Sequence, residues 1–351
     1  MTRAAIVGSG LVARVHAYAL RELGVEVAGV SSRTLVGAET LVAELGEGTA
    51  YPGLADALAD ETVGVVHICT PNHVHAEQTL AALERGRHVV CEKPLAVNAR
   101  ESARMVEECS RRGVVGATAY HVRGYPLVEH MRAEIAAGRL GEVRAVHGRY
   151  FCDDGLADVD QWRLDPERSG PSYVTADLGV HWLDLSEHVT GAHVVEVLAE
   201  FRTFTPGRPL EDFATLLLRF DSGAVGSLAL SAVTAGRKNQ LLFECEGDRG
   251  GFTWDQERPD VLLHRVAGEP SRVVVKDPAT NAGRARELAR FPAGHGEGYG
   301  DAFRNLLRAV YAAIAGERDS EFPTFADGHR GMRLLDAAVA SAQARAWVGV
   351  E

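Results

Sequence analysis

In the first 120 residues, short Val- and Ile-rich runs alternate with amphipathic segments, and this alternation limits the possible folds more than any other feature. The runs at 4–7, 25–30, 63–69, 88–91 and 114–118 are nearly continuous in apolar residues and read as strands buried on both faces. Between them, 11–23, 35–45, 76–85 and 99–112 carry the spacing of helices. Strands joined by helical crossovers run parallel, so this part reads as an α/β doubly wound parallel sheet.

The pattern changes after Tyr120. A helix at 127–137 leads to a strand at 142–150, a polar loop at 153–172 and a helix at 176–189. Alternating runs fill 194–275, among them 214–220, 224–232 and 240–246, with Asp221-Ser222-Gly223 and Glu246-Gly247-Asp248 as turns. Helices at 300–315 and 328–346 follow. We therefore expect an α/β domain at 1–120 and, at 121–351, an α+β domain with an open, mainly antiparallel sheet.

Length agrees, since 351 residues suit two domains of ~100–200 residues each. Lys and Arg number 37 against 48 Asp and Glu, a net charge of −11 that disfavours binding to nucleic acid or to anionic membranes. Five cysteines without a C-x-x-C pair fit a reducing compartment and no disulfide framework. With no charged leader and no apolar run of ~18 residues, the expected location is cytoplasmic.

The first strand runs into Gly8-Ser9-Gly10-Leu11-Val12-Ala13, a G-x-G-x-x-A between strand and helix. Gly8 allows the tight turn, Gly10 the approach of a pyrophosphate, and Ala13 close packing of helix on strand. The helix N-terminus offers N–H groups to the phosphates, which implies NAD or NADP. An acid that would bond the ribose is missing after the second strand, where Ser32 and Arg33 stand instead. They suit a 2′-phosphate and so point toward NADP, although Ser32 also suits a plain 2′-hydroxyl and Arg33 an adenine face.

The strands at 63–69 and 88–91 end in Cys69-Thr70-Pro71-Asn72-His73-Val74-His75 and Cys91-Glu92-Lys93-Pro94. Ligands of open α/β sheets bind beyond such carboxyl ends. Together with Asp177-Leu178-Gly179-Val180-His181, these tracts resemble the Gfo/Idh/MocA oxidoreductases, the family of glucose–fructose oxidoreductase and inositol dehydrogenase. Arg123-Gly124-Tyr125-Pro126, Gly138-Arg139-Leu140-Gly141-Glu142-Val143 and Gln161-Trp162-Arg163 extend the resemblance over nearly the whole chain.

That resemblance implies a nicotinamide cofactor, a sugar or cyclitol substrate, and dimers or tetramers formed through the second sheet. It puts Lys93, Asp177 and His181 in catalytic places, and implies a cis bond at Lys93–Pro94. Gly8, Ser9, Gly10, Leu11, Val12, Ser32, Arg33, Cys69, Thr70, Pro71, Asn72, His75, Glu92, Lys93, Pro94, Arg123, Trp162 and Arg163 fall on the cofactor side. Lys93, His121, Arg123, Trp162, Asp177 and His181 fall on the substrate side. Relatives often open a late helix with Ala-Tyr, where this chain has Ala302-Phe303. The run at 294–303 resembles branches acting on glycosides and anhydrosugars.

Asp177 and His181 stand four apart in a predicted helix and share a face. A neutral His181 can take the proton of an alcohol as its carbon gives up hydride. Lys93 can stabilise the developing alkoxide. Asp177 can orient the imidazole or bind a neighbouring hydroxyl. No third ligand at metal spacing accompanies the pair, so no metal is expected. The expected activity is an NAD(P)-dependent dehydrogenase or reductase of a sugar, glycoside, anhydrosugar or cyclitol. The alternative is an NAD-dependent glycosidase acting by transient oxidation and elimination.

Overall fold

A computed structural model describes residues 2–157 and 162–351. In chain order, the first part holds β1 (Arg3–Val7), α1 (Leu11–Glu22), β2 (Val27–Ser31), α2 (Leu35–Leu45), β3 (Thr49–Tyr51) and α3 (Leu54–Ala59). There follow β4 (Val63–Ile68), α4 (His75–Glu84), β5 (His88–Cys91), α5 (Ala99–Arg112) and β6 (Gly116–Thr118). The middle holds α6 (Pro126–Ala136), β7 (Val143–Phe151), α7 (Pro166–Ser169), α8 (Val180–Thr190), β8 (Val194–Arg202), β9 (Phe213–Phe220) and β10 (Val225–Ser231). Next come β11 (Gln240–Gly247), β12 (Gly250–Asp255), β13 (Val261–Val266), β14 (Arg272–Val275) and α9 (Ala285–Leu288). The last part is α10 (Tyr299–Ile314), α11 (Phe325–Ala344) and β15 (Val348–Gly349).

The chain divides into two units, Met1–His121 with Tyr299–Arg330, and Val122–Gly298 with Gly331–Glu351. In the first, the described strands form a parallel sheet in the order β3-β2-β1-β4-β5-β6. Strand order reverses between β1 and β4, which makes the carboxyl ends of these two strands the switch point where such sheets take ligands. The apolar runs predicted the central strands because those strands are enclosed by helices on both faces. β3 and α3, three and six residues long, were too short to leave a periodic signal.

Residues 299–330 require a correction to the expected boundary, since sequence order alone placed them in the second domain. Phe303, Leu306, Leu307 and Val310 of α10 join Ala13, Ala17 and Leu20 of α1 in one buried cluster of the first unit. The apolar stripe of α10 therefore finds its partner far back in the chain.

The second unit has a sheet in the order β14-β13-β12-β11-β7-β10-β9-β8-β15. Its hairpins are antiparallel as expected, but β7 and β10 pair in parallel. Helix α8 is fixed on this sheet by Trp182, whose indole Nε1 donates to Leu242 O at 3.1 Å. The ring lies over Gly148 of β7, where a Cβ would come within 2.1 Å of that nitrogen. Among the described residues, no helix is long and apolar enough to cross a membrane.

Candidate active site

In the first unit, Gly8 has φ +121°, and a Cβ there would lie 2.3 Å from Cys69 O. The turn after β1 thus passes directly against the end of β4, where Cys69 N donates to Val7 O at 2.7 Å. At Gly10 a Cβ would meet nothing within 4 Å, and no side chain caps the helix that starts there. Leu11 is exposed and Val12 partly so. An open, uncapped helix N-terminus beside a switch point fits a dinucleotide pyrophosphate. Ala13 is fully buried against the sheet, as its place in the motif requires.

Ser9 and Ser32 hydroxyls meet at 2.8 Å, joining the ends of β1 and β2, and Arg33 is exposed beside them. Two supporting residues escaped the sequence reading. Arg14 donates to Ser9 O at 2.6 Å while forking onto Glu44, which fixes the loop. At Gly37 a Cβ would come within 2.8 Å of Ser9 Oγ, so α2 can approach the serine pair only as glycine.

Beyond β4, Thr70 and Pro71 are partly exposed and Asn72 is buried. Thr70 Oγ1 donates to Gln78 Oε1 at 2.7 Å. His75 is fully enclosed, with Nδ1 at 2.9 Å from Pro94 O and Nε2 at 2.8 Å from Thr70 O. Burial holds this imidazole below its usual pKa. Among the expected cofactor contacts, His75 is therefore corrected to a strut between two site loops, because it has no surface to offer a ligand. The Lys93–Pro94 bond is cis. Lys93 is partly exposed beside buried Glu92, whose Oε2 accepts from Lys93 N at 3.1 Å.

His121 is buried, its ring stacked on Phe303 at 5.1 Å and edge-on to Tyr299 at 4.7 Å. Burial pushes its pKa down to about 3, with weaker opposed effects from Glu92 and Lys93. Phe303, standing where the resemblance has a tyrosine in many relatives, is a core residue.

In the second unit, Asp177 lies in a π-helical turn, Thr175–Gly179, that leads directly into α8. The sequence predicts an ordinary helix there; the wider turn and its start are set by Glu211. That buried carboxylate accepts from Ser172 Oγ at 2.5 Å, from Tyr173 N at 3.1 Å, and from the amide and hydroxyl of Thr175 at 3.2 Å. Glu211 was invisible to motif reading because it comes from a loop some 35 residues on. His181 is buried on the first turn of α8, 6.3 Å from the Tyr150 ring centre.

Trp162, Arg163 and Asp177 are brought together. The Arg163 guanidinium lies 4.9 Å over the Trp162 ring and its Nε is 3.5 Å from Asp177 Oδ1. Gln161 lies outside the described residues. Arg123 is committed elsewhere: it forks onto Asp184 at 2.9 and 2.5 Å, so its charge is neutralised within the second unit. Asp184 and His188, which repeat the spacing of Asp177 and His181, are thus structural, with His188 Nε2 at 2.6 Å from Glu129.

Residues 2–121 match the oxidoreductase family with an NAD-binding Rossmann fold, and 128–253 match the Gfo/Idh/MocA C-terminal domain. A levoglucosan dehydrogenase of Pseudarthrobacter phenanthrenivorans is 32% identical over 83% of this chain and 81% of its own length. An inositol dehydrogenase homologue from Azotobacter vinelandii, solved with NAD+, superposes with TM-score 0.94 at 30% identity, covering 99% of this chain and 97% of that one. A levoglucosan dehydrogenase with NADH and levoglucosan gives 0.92 at 28% identity, covering 99% of each chain. The parallel nucleotide sheet, the glycine turn open at Gly10 and these matches over both units agree: the chain belongs to the Gfo/Idh/MocA family of NAD-binding oxidoreductases.

Proposed function

We propose that the chain oxidises a secondary alcohol of a sugar, glycoside, anhydrosugar or cyclitol, or reduces the matching ketone. The bound nicotinamide would supply the hydride acceptor or donor. The Gly8–Val12 turn would hold its pyrophosphate, Ser32 and Arg33 its adenosine end, and Thr70, Asn72 and Glu92–Pro94 the nicotinamide end. His181 takes or returns the hydroxyl proton, Lys93 stabilises the charge on that oxygen, and Asp177 orients the imidazole or holds a neighbouring hydroxyl.

The observation that carries this reading is the Trp162–Arg163–Asp177 cluster, whose Asp177 lies in the turn that leads to buried His181. A carboxylate one turn from a buried imidazole, in a member of an oxidoreductase family, supports these roles for Asp177 and His181. The relatives described above are dehydrogenases, and nothing in the site favours the glycosidase alternative.

The test is cofactor reduction, followed at 340 nm, against levoglucosan, myo-inositol and simple glucosides with NAD+ and NADP+. Lys93→Ala and His181→Ala are each expected to lose roughly 10²–10⁴ in kcat while still binding cofactor. Wild-type turnover in both variants would sink the assignment of roles. If a free sugar formed without accumulation of reduced cofactor, hydride transfer would not be the net reaction.

A further inference from the structure

At the carboxyl end of β2, inside the first unit, three hydroxyls from three places in the chain gather around one glycine. A Cβ on Gly37 of α2 would lie 2.8 Å from Ser9 Oγ, 3.1 Å from Ser32 Oγ and 3.1 Å from Thr34 Oγ1. Ser9 belongs to the turn after β1, Ser32 follows β2, and Thr34 caps α2. Arg33 stands between the last two in the chain and is exposed. Among the described residues its guanidinium meets no carboxylate, carbonyl or aromatic ring. Arg14, by contrast, is committed to Glu44 and Ser9 O.

We propose that this place is a 2′-phosphate pocket and that the chain selects NADP(H) over NAD(H). The inference rests on the cofactor placement proposed above and goes beyond it by choosing between the two dinucleotides. The choice follows from the protons these groups hold. Ser9 and Ser32 have two hydroxyl protons, and the 2.8 Å bond between them uses one. The other is left to donate outward. Thr34 Oγ1 accepts from Gly37 N at 3.2 Å, so its own proton is also left. Arg33 adds a fork of N–H donors and a permanent charge. Each of these groups has a proton to give, and ionised phosphate oxygens accept such bonds strongly.

A plain ribose fits this place less well. A carboxylate at the end of β2 would accept from its hydroxyls, and Ser32 stands there instead. The first turn of α2 brings no acid. Glu44, tied to the turn after β1 through Arg14, has both oxygens on the Arg14 fork at 2.8 Å. A neutral diol would also leave Arg33 without an opposite charge, and a phosphate supplies one. In a chain of net charge −11, a dianion needs a local cation to hold it. Gly37 keeps the hydroxyls open to such a group, since a methyl there would press on all three. Were Arg33 to lie on the adenine instead, it would serve both dinucleotides equally, and binding measurements separate these two roles.

Isothermal titration calorimetry of the full chain with NADP+ and NAD+, and with 2′,5′-ADP and 5′-AMP, reads the site without turnover. The members of each pair differ by the 2′-phosphate alone. NADP+ and 2′,5′-ADP should bind roughly 10-fold or more tightly than NAD+ and 5′-AMP. The difference should shrink as salt is raised. Arg33→Ala should remove most of it by weakening the phosphorylated member of each pair, and Ser32→Asp should reverse it. Equal affinity for the two dinucleotides in wild type, or tighter binding of NAD+, overturns the proposal. So does an Arg33→Ala variant that weakens both alike, which would put the guanidinium on the shared adenine. If neither dinucleotide binds, the cofactor placement fails and the selectivity with it. If NADP+ binds more tightly but no sugar is oxidised, the proposed reaction fails and the selectivity stands.

Discussion

At the scale of the residue, the site is held by groups whose ionisation is suppressed. His121 is the plainest case, an imidazole enclosed by Phe303 and Tyr299 with its pKa pushed down to about 3. A histidine that the fold keeps neutral contributes stability that is complete above the unfolded value near 6.5. That contribution is lost as the pH falls from there toward the folded value. Inside this window each pH unit costs about 1.4 kcal/mol for one such group. His121→Phe keeps a ring in place and removes the titration. Its melting temperature should therefore fall less steeply than that of wild type between about pH 6.5 and 3. Parallel curves would show that His121 is not a buried neutral base. His67 and His75 titrate in the same direction in both proteins, so the comparison isolates His121.

At the scale of the element, the helix that carries Asp177 and His181 owes its start to Glu211. With Glu211→Ala, the amides of Tyr173 and Thr175 lose their acceptor in a buried place, each at about 1–3 kcal/mol. We expect a loss of about 2–4 kcal/mol in the unfolding of the second unit, and less for Glu211→Gln, whose amide oxygen still accepts. Denaturant titration of both variants measures this, and an unchanged midpoint for the alanine variant would remove Glu211 as the anchor. Legibility divides along the same line. The strands at 4–7, 63–69 and 88–91, the glycine turn and the lysine tract are local patterns, and the sequence showed them. The carboxylate under the π turn, the Asp184 fork that occupies Arg123 and the parallel pairing of β7 with β10 depend on residues distant in the chain. No local periodicity records such partners. His75 shows the limit inside a motif, since the residue was found but its direction, toward two carbonyls, was not.

At the scale of the whole molecule, the nucleotide-binding unit is built from two separated stretches, and the later one has a structural task. Besides α10 lying on α1, the segment before α11 borders the edge strand β6: Thr118 N donates to Pro323 O at 2.9 Å and Thr118 Oγ1 to Thr324 O at 3.0 Å. Burying Phe303, Leu306, Leu307 and Val310 at about 1.5–3 kcal/mol each amounts to about 6–12 kcal/mol, the size of a typical domain's entire stability. A fragment ending at residue 121 would leave Ala13, Ala17 and Leu20 facing water and β6 with a bare edge. Such a fragment should be aggregation-prone and should melt without a cooperative transition by circular dichroism. The same fragment joined through a short flexible linker to residues 299–330 should recover one. Cooperative unfolding of the shorter fragment alone would mean that the six-stranded sheet carries its own core and that α10 only covers it. The contact of Tyr311 Oη with His67 Nε2 at 3.0 Å gives a second readout, because Tyr311 arrives on the same helix. The joined fragment should restore the His67 resonances of the full chain, and the fragment without α10 should not.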